Sequence, residues 1–526
     1  MSRNRARRRI WSAIRRQVAE TQPGLRLLTR RDLLKVSGLA LGGLIASRPS
    51  KVLAWTRLQS PRIAIVGAGI AGMCAALTLQ DSGLACSVYE SSGRIGGRMY
   101  SNSTYWQDGQ TSEWCGEFID TDHVTIRHLA QRFGLTLSDV NAAEPPDSQD
   151  TNYFLGGYYT EPELARDLAQ VTPIVAQQNR EIGSVALYNH YDSAGYYFDH
   201  ISVYEWIETY VPGGHSSRLG QYLDVALVTE NGLDTSLQSS LNLIFPLDSD
   251  ERFHTKGGNQ QLPTRIAQNL PPGTIQRGWR VTTIVAHSDR TVTLTFDTAS
   301  GPQSETFDYV ILALPFSVLR TLDYTRANFD ALKQTAIQQL GYGTNSKLVL
   351  QFDDRYWNGR GAWPGVGDGF IQTDLAFQSA WDSSRAEPGP DGLLTNYTGG
   401  AAGAAFRPDG PYTTNRGSAI TASYASDFLK QLEIVWPGVS AHYKGLATLS
   451  YPSGDPNLRG SYSTYKVGQY TTFAGYEPVP QGQIHFAGEH TSYNFQGFME
   501  GGAESGVRAA NEILAAIRRS ENARRP

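Results

Sequence analysis

The sequence has few cysteines and no apolar run long enough to cross a membrane. Cys74, Cys86 and Cys115 are the only cysteines among 526 residues, and their spacing forms neither a disulfide framework nor a metal-binding pattern. No cluster of histidine, cysteine and carboxylate residues suggests a metal site. The uncharged stretch 36–47 has about a dozen residues, whereas a spanning helix needs roughly 20. We therefore expect no metal and no stable membrane span.

Basic charge is also scarce outside the first residues. The net charge of the chain is −4, but residues 1–54 carry 13 Lys and Arg against two acids. Removing that net charge of +11 leaves −15 on the rest of the chain. A body this acidic repels phosphate backbones, so we do not expect nucleic acid as a partner.

The basic excess at the amino terminus resembles an export signal. Arg30-Arg31 and Lys35 precede the apolar stretch 36–47, which matches a signal-peptide hydrophobic region behind a charged leader. The arginine pair resembles the twin-arginine signal, whose machinery carries folded proteins. We predict a twin-arginine signal peptide over 1–54, the twin-arginine export machinery as a partner, and a periplasmic or secreted location. A basic disordered leader and a retained anchor are the alternatives.

The body begins with the pattern of a dinucleotide-binding βαβ unit. Residues 62–66 form a short apolar run of the buried-strand type, and 70–82 read as a helix. Residues 85–89 give a second strand that ends at Glu90. The glycine-rich loop 67–72 lies between the first strand and the helix, where such units hold a pyrophosphate.

Each residue type in this loop has a physical purpose. Gly67 permits the tight turn, Gly69 lets the backbone approach the pyrophosphate, and Gly72 lets the helix pack close to the sheet. The helix amino end at Ala71 offers free N–H groups and a positive dipole to the phosphates. Glu90 is placed to accept hydrogen bonds from ribose hydroxyls. A glycine-rich turn without a ligand is the alternative.

The residues that follow distinguish flavin from nicotinamide. Glu90 to Met99 reads E-S-S-G-R-I-G-G-R-M, which resembles the second flavin fingerprint of the amine oxidase family, E-x-x-x-R-x-G-G-R. The glycines, Gly97 among them, let the backbone pass near the cofactor. Arg94 completes the fingerprint, and Arg98 can reach a phosphate as a bidentate donor.

Further segments resemble this flavin-containing amine oxidase family, in family order, from about residue 60 to 515. Residues 114–120 resemble the segment beneath the flavin ring, and 257–263 resemble the G-G-x-x-x-L-P turn. Residues 486–492 and 496–501 resemble the carboxy-terminal signature. The resemblance implies FAD contacts for Gly116, Glu117, Val281, Gly488, Glu489, Gly497, Phe498 and Met499.

The resemblance implies an α/β fold with a discontinuous, Rossmann-like FAD-binding domain. That domain is expected from 60–125, 257–320 and 478–518, with a helical insertion over 126–256 and an α+β substrate-binding domain over 321–477. Many members of the family form dimers, so a homodimer is a further expectation.

The resemblance also implies how FAD is held. Monoamine oxidases attach their flavin to a cysteine in a G-G-C-Y segment. The nearest counterpart here is Arg459-Gly460-Ser461-Tyr462, with serine at the cysteine position. We therefore expect non-covalent FAD.

The resemblance implies the chemistry as well. Members move a hydride from the carbon beside nitrogen to the flavin, water hydrolyses the imine, and oxygen reoxidises the flavin to give hydrogen peroxide. Lys347 resembles the family lysine that holds a water beside the reactive flavin nitrogen. An exposed strand lysine is the alternative for this position.

The substrate class is the most open question. Ile119 occupies the place of the carboxylate-binding arginine of animal L-amino acid oxidases, but Tyr397 resembles a tyrosine that also binds the carboxylate. Residues 460–470 look most like bacterial L-amino acid oxidases, and Tyr397 and Phe498, with Gly497, would line the substrate pocket. Both aromatics could instead be ordinary core residues.

We therefore expect an enzyme that oxidises L-amino acids to 2-oxo acids, ammonia and hydrogen peroxide. One alternative is a polyamine or monoamine oxidase in which Glu117 attracts a distal ammonium group. The other is a flavin-binding accessory protein without turnover.

Overall fold

A computed structural model describes residues 60–183, 186–245 and 249–524. The predicted signal peptide, 1–54, lies outside these ranges. The strands are β1 Ile63–Val66, β2 Ser87–Glu90, β3 Ser101–Asn102, β4 Ser112–Glu113, β5 Leu137–Asp139, β6 Ser148–Phe154, β7 Gly157–Tyr158, β8 Phe253–Thr255, β9 Ile275–Arg277, β10 Arg280–Ala286, β11 Val292–Asp297, β12 Gln303–Phe307, β13 Tyr309–Leu312, β14 Asp323–Arg326, β15 Gly341–Tyr342, β16 Ser346–Phe352, β17 Val366–Thr373, β18 Ser379–Asp382, β19 Gly392–Thr398, β20 Tyr412–Thr414, β21 Tyr443–Ser450, β22 Ser463–Thr464 and β23 Ile484–Phe486.

The α-helices in the same ranges follow in chain order. They are α1 Ile70–Asp81, α2 Val124–Arg132, α3 Glu161–Ile182, α4 Ser193–Asp199, α5 Val203–Tyr210, α6 Arg218–Asn231, α7 Leu241–Ile244, α8 Gln261–Asn269, α9 Phe316–Leu319, α10 Ala331–Gln339, α11 Gly400–Ala404, α12 Ala419–Val435, α13 Gln469–Thr472 and α14 Met499–Arg524. None of these helices is both long and apolar enough to cross a membrane.

A five-stranded parallel sheet carries the predicted dinucleotide-binding unit. Its order is β23–β13–β1–β2–β9, so strands from three separate parts of the chain lie side by side. The strands β1 and β13 are fully buried, as expected for a parallel sheet covered on both faces. The predicted discontinuous, Rossmann-like fold is therefore confirmed.

Two helices on this sheet pack unusually close together. Glycines in α14 make this possible, since a Cβ at Gly506 would lie 2.0 Å from the carbonyl oxygen of Ala71 in α1. A Cβ at Gly502 would lie 2.8 Å from the side chain of Ile70. The helix α14 begins at Met499, within the signature segment 496–501. Its first turn includes two glycines, which have low helix propensity, so packing on α1 decides the boundary.

An eight-stranded sheet forms the second layer. Its order is β20–β21–β16–β19–β18–β17–β6–β7, and the central strands β16 and β19 are antiparallel and fully buried. The strands β6 and β7 come from 148–158, within the region predicted as a helical insertion, and they complete this sheet instead. The helices α3 to α7 do lie between 161 and 244. The domain boundaries themselves stay a prediction.

The turn after β1 provides the first test. A Cβ at Gly72 would lie 1.9 Å from the carbonyl oxygen of Gly67, whereas nothing lies within 4 Å of a Cβ at Gly93. We expect Gly72→Ala to destabilise the protein by about 1–3 kcal/mol, because backbone must move. It should also lower the fraction of FAD that survives gel filtration. Denaturant unfolding checks the first effect.

The matched control is Gly93→Ala, an exposed change on the neighbouring turn. Its effect should stay within about 0.5 kcal/mol. Equal unfolding midpoints for the two variants would contradict the role of Gly72 in helix packing.

Candidate active site

One long cavity runs between the two sheets, from the glycine-rich loop to the centre of the eight-stranded sheet. It gathers most of the predicted site residues, although they come from distant parts of the chain. Those lining it are Gly67, Gly69, Ala71, Glu90, Arg94, Gly97, Arg98, Gly116, Val281, Lys347, Tyr397, Gly488, Glu489, Gly497, Phe498 and Met499. Gly72 lies behind the wall, against Gly67. Glu117 does not line this cavity.

The loop end of the cavity is built to receive an anion. Gly67 has φ +105°, and a Cβ there would lie 2.6 Å from the carbonyl oxygen of Ala313. Gly69 caps α1 without a side-chain hydrogen bond, and the first turn of α1 contains no acidic residue. The N–H groups at this end of α1 therefore face the cavity without a competing carboxylate, which favours a phosphate group.

Glu90, at the end of β2, is held firmly in the same region. Its Oε2 accepts from the backbone N–H of Ala68 (2.9 Å), and its Oε1 accepts from the backbone N–H of Ser92 (2.8 Å) and from the Ser92 hydroxyl (2.7 Å). These donors orient the carboxylate at the cavity wall and leave lone pairs for other donors. Its contact with a ribose stays a prediction.

The two fingerprint arginines have different partners. Arg94 stacks over the ring of Tyr100, 4.1 Å from its centroid, and donates to the carbonyl oxygen of Gly97 (2.7 Å). Arg98 donates to Glu489 Oε1 (2.9 Å) and to the carbonyl oxygen of Ser461 (2.9 Å). Arg98 thus binds protein oxygens through one nitrogen, and a bidentate phosphate contact stays a prediction.

Glu489 connects Arg98, near the start of the described chain, to the segment that leads into α14. Its Oε2 accepts from the Ser463 hydroxyl (2.8 Å) and from the backbone N–H of Gly497 (2.7 Å). Burial by itself raises the pKa of Glu489, but the charge and hydrogen bonds of Arg98 and the other donors hold it below its ordinary value. An ionised Glu489 therefore positions the segment that leads into α14.

The other end of the cavity contains a buried ion pair. Lys347, on β16, donates to Glu117 Oε2 at 2.8 Å, and only 4% and 3% of the two side chains are exposed. The indole N–H of Trp381 donates to Glu117 Oε1 (3.0 Å). The alternative of an exposed strand lysine at position 347 is therefore wrong. That Lys347 holds a water beside the flavin stays a prediction.

Two tyrosines, Tyr397 and Tyr462, form a chain of hydrogen bonds beside this ion pair. Tyr397 is the register partner of Lys347 on β19, and its hydroxyl donates to that of Tyr462 (3.2 Å). Tyr462 donates to the carbonyl oxygen of Glu230 (2.5 Å). Burial raises the pKa of both phenols, so they remain neutral donors. Because Tyr462 uses its proton on Glu230, Tyr397 is the donor within the pair.

Sequence reasoning missed two residues of this region, Trp381 and Tyr462. Trp381 is fully buried on β18, and its ring lies 5.2 Å from that of Tyr397. No local motif surrounds Trp381, because β18 is short and its neighbours are set by the sheet. Tyr462 follows Ser461 in the segment that resembles the G-G-C-Y motif. That resemblance could have identified Tyr462 as a residue of the site.

Among the residues that the structure describes, one group of potential metal ligands occurs, although none was expected from the sequence. Single ligand-type atoms of Asp120, Asp122 and His123 all lie within 4.8 Å of one another. His123 Nδ1, however, accepts from the backbone N–H of Asp120 (2.9 Å), and Asp120 Oδ1 accepts from that of Glu251 (2.8 Å). These contacts give the group a structural use, because they connect the loop at Asp120 to the segment before β8.

The fold and the cavity together define a dinucleotide-binding flavoprotein. The sequence matches the family model of flavin-containing amine oxidoreductases over residues 70–514. The chain therefore belongs to the flavin-containing amine oxidoreductase family.

Similar proteins cover almost the whole chain. YobN of Bacillus subtilis (strain 168), by its name a candidate L-amino-acid oxidase, is 26% identical over 500 residues, which are 86% of this chain and 95% of YobN. The L-amino-acid oxidase of Sistrurus catenatus edwardsii is 24% identical over 495 residues, 88% of each chain.

Solved structures share the fold at lower identity. Cyclohexylamine oxidase from Brevibacterium oxydans IH-35A has a TM-score of 0.74 and 19% identity, covering 87% of this chain and 100% of its own. Wild-type putrescine oxidase bound to putrescine has a TM-score of 0.69 and 19% identity, covering 86% and 99%.

The residues of the cavity fit the family's cofactor, FAD. The bare amino end of α1 suits the pyrophosphate, and the wall near Ser461 carries a hydroxyl rather than a thiol. The Ser461 hydroxyl donates to Asn345 Oδ1 (2.6 Å). The protein binds FAD non-covalently. When bound, FAD accepts a hydride equivalent from the carbon beside nitrogen and passes two electrons to oxygen.

The Arg98–Glu489 pair provides the second test. We expect Arg98→Ala to destabilise the protein by about 3 kcal/mol and to weaken FAD retention, because Glu489 stays buried without its cation. Loss of Arg98 should raise the pKa of Glu489, so the deficit in stability should be larger at about pH 7 than at about pH 4, where the carboxyl is protonated. Denaturant unfolding at both pH values measures this.

The control is Arg62→Ala, which removes an exposed pair with Glu305 at the same 2.9 Å distance. Its loss should be about 0–1 kcal/mol at either pH. An Arg98→Ala deficit that is equally small, or that does not change with pH, would refute the role of the pair.

Proposed function

We propose that this flavin-dependent amine oxidoreductase oxidises L-amino acids to 2-oxo acids, with release of ammonia and hydrogen peroxide. The observation that carries the proposal is the Tyr397 hydroxyl at the inner end of the cavity. It lies at the strand position paired with Lys347, and burial raises its pKa, so it stays protonated. A neutral hydroxyl donor suits a substrate carboxylate. The names of the relatives, L-amino-acid oxidases at 24–26% identity, support the same class.

Three residues of the site have different roles toward the substrate. Tyr397 exchanges its hydrogen bond to Tyr462 for one to the substrate carboxylate. Phe498, at the start of α14, is buried at 5% exposure and provides an apolar wall. Lys347 holds a water at Nζ, and this water is available to hydrolyse the imine.

A second candidate is an oxidase for amines without a carboxylate. The solved cyclohexylamine and putrescine oxidases share the fold and favour it. Against a polyamine substrate, Glu117 faces away from the cavity and both of its oxygens accept from protein donors, Lys347 and Trp381. A carboxylate engaged in this way does not attract a distal ammonium. An accessory protein without turnover has no use for a buried lysine at the cavity wall.

Export is a separate proposal. The Arg30-Arg31 pair, Lys35 and the apolar stretch 36–47 support passage through the twin-arginine machinery to the periplasm or beyond. A machinery for folded proteins suits an enzyme that binds FAD before transport. A homodimer likewise remains a prediction.

An anaerobic screen distinguishes the substrate classes. We expect at least one of twenty L-amino acids to bleach the flavin absorbance of the FAD-loaded protein, and its D-enantiomer to leave it unchanged. The reason is that the carboxylate at Tyr397, the side chain against Phe498 and the C–H bond facing the flavin are three fixed contacts, which only one enantiomer can make together. Bleaching by spermidine or benzylamine, with no response to any L-amino acid, would overturn the proposal in favour of an amine oxidase.

Lys347→Met tests the lysine directly. We expect FAD to stay bound and flavin reduction or reoxidation to slow by about 10²-fold, because the group that positions the water is lost. Stopped-flow absorbance measures both steps. The protein should also lose about 3 kcal/mol of stability, because Glu117 stays buried without its cation. The control is Lys430→Met, a lysine on α12 with 72% of its side chain exposed. Rates for Lys347→Met that match those for Lys430→Met would contradict the assignment.

A further inference from the structure

A second, much smaller cavity lies behind the Lys347–Glu117 pair. It is lined by Glu113, Glu117, His254, Thr255 and the turn Gly257-Gly258, among others. Its volume is about 10 Å³, room for about one water molecule. The cavity is polar, and the G-G-x-x-x-L-P turn that forms one wall has no side chains there to fill it.

The ion pair is the partition between the two cavities. Lys347 lines the long cavity and Glu117 lines the small one, and 2.8 Å separates Nζ from Oε2. Gly116 lines the long cavity, so the chain from 116 to 117 passes from one cavity to the other. A proton that crosses this single hydrogen bond therefore passes from the long cavity to the small one, on the same face of the eight-stranded sheet.

The small cavity contains groups that can hold a water and a proton. Glu113 is buried, and its two oxygens accept from the backbone N–H of Asn259 (2.7 Å) and the Ser101 hydroxyl (2.8 Å). Burial raises the pKa of Glu113 to about 8, even though these hydrogen bonds and Lys347 act in the opposite direction. The buried hydroxyl of Thr255 has no hydrogen-bond partner within the described ranges. A water in the cavity would satisfy it.

The outer end of the cavity reaches solvent through an ion pair. His254 Nε2 lies 3.4 Å from Glu387 Oε1, and 10% and 12% of the two side chains are exposed. The His254 ring beside it holds the pKa of Glu387 below its ordinary value. Histidine is the side chain that most readily takes and releases a proton near neutral pH.

We propose that Glu117, the water of the small cavity and His254 form a proton path between Lys347 and solvent. The path rests on the proposed amine oxidation, because that chemistry releases a proton at the substrate and later needs one for peroxide. Glu113, which faces the same cavity, stores a proton along the way. Glu117 is thus a residue that moves protons rather than one that binds substrate.

The proton balance defines what the path must carry. Oxidation of a protonated amine to its protonated imine breaks one C–H bond, with its electron pair, and one N–H bond, as a proton. Reduction of oxygen to hydrogen peroxide takes up the same two electrons with two protons, one of them from the C–H bond. The N–H proton is therefore released in one half-reaction and required in the other.

Each transfer within the path conserves charge. Lys347 gives a proton from Nζ to Glu117 Oε2 and takes the substrate's ammonium proton in its place. Glu117 passes its proton to the cavity water, the water passes one to His254, and His254 releases one to solvent. The reverse sequence returns the proton when peroxide forms.

Proton release measured apart from flavin bleaching tests the path. The FAD-loaded full chain is mixed anaerobically with its best amino acid substrate in weak buffer, and a pH-indicator dye is followed beside the flavin absorbance. In the unaltered protein we expect both signals to change together. In His254→Gln we expect the dye to lag by about tenfold or more while first-turnover bleaching is retained. Glu117→Gln should give the same lag.

The matched control is His215→Gln, a histidine paired with Glu208 and Asp224 that lines neither cavity. Its dye and bleaching signals should stay together. Because Glu117→Gln leaves a buried lysine alone and can fail to fold, His254→Gln at the outer end carries the decision. Proton release at the unaltered rate in His254→Gln would overturn the path.

The path is also separable from the proposed function. If no amine or amino acid bleaches the flavin, the proposed function fails, and reduction by dithionite replaces the substrate. The dye then reports the protons released by oxidation of dithionite minus those taken up by the protein, so the same signal from free FAD and dithionite is subtracted to give the uptake by the protein. Slower uptake in His254→Gln than in His215→Gln would still support the path, and equal uptake would refute it.

Discussion

The buried pair of Lys347 and Glu117 constrains the arrangement of the whole site. Each charge would be strongly unfavourable alone at this depth, so each requires the other at hydrogen-bond distance. Satisfying the pair forces the central strand β16 against the segment that follows β4. Trp381 donates the remaining hydrogen bond to the carboxylate and so ties β18 to the same point. The inner wall of the long cavity is the result of these contacts.

A second ion pair, between Arg98 and Glu489, fixes the arrangement of the FAD end of the cavity. Arg98 belongs to the first part of the discontinuous domain and Glu489 to the last, and their contact spans nearly 400 residues of sequence. Glu489 also accepts from the backbone of Gly497, which fixes the approach to α14. The close packing of α14 on α1 then depends on the glycines of α14. The contacts that form the FAD end of the cavity are therefore the same contacts that hold these distant segments of the chain together.

Local patterns were sufficient for the cofactor end and insufficient for the substrate end. The residues Gly67, Gly69 and Glu90 act through backbone geometry within one short βαβ unit, so their spacing along the chain predicts their positions in space. The environment of Lys347 depends instead on which strands lie beside β16. The register between strands that are far apart in sequence cannot be predicted from the residues of one strand alone. The same reason explains why 148–158 complete the eight-stranded sheet although the region around them is helical.

The two cavities suggest why the charges of Lys347 and Glu117 are buried, although burying them has a large desolvation cost. A hydrophobic pair of equal volume would separate the cavities as well and stabilise the fold at least equally. An ion pair, however, is a partition that protons can cross and that bulk water and substrate cannot. Lys347 can then face the reacting nitrogen with a constant charge, because each proton it gives to Glu117 is replaced from the other side. The partition therefore separates the movement of protons from the cavity in which the cofactor and the substrate exchange electrons.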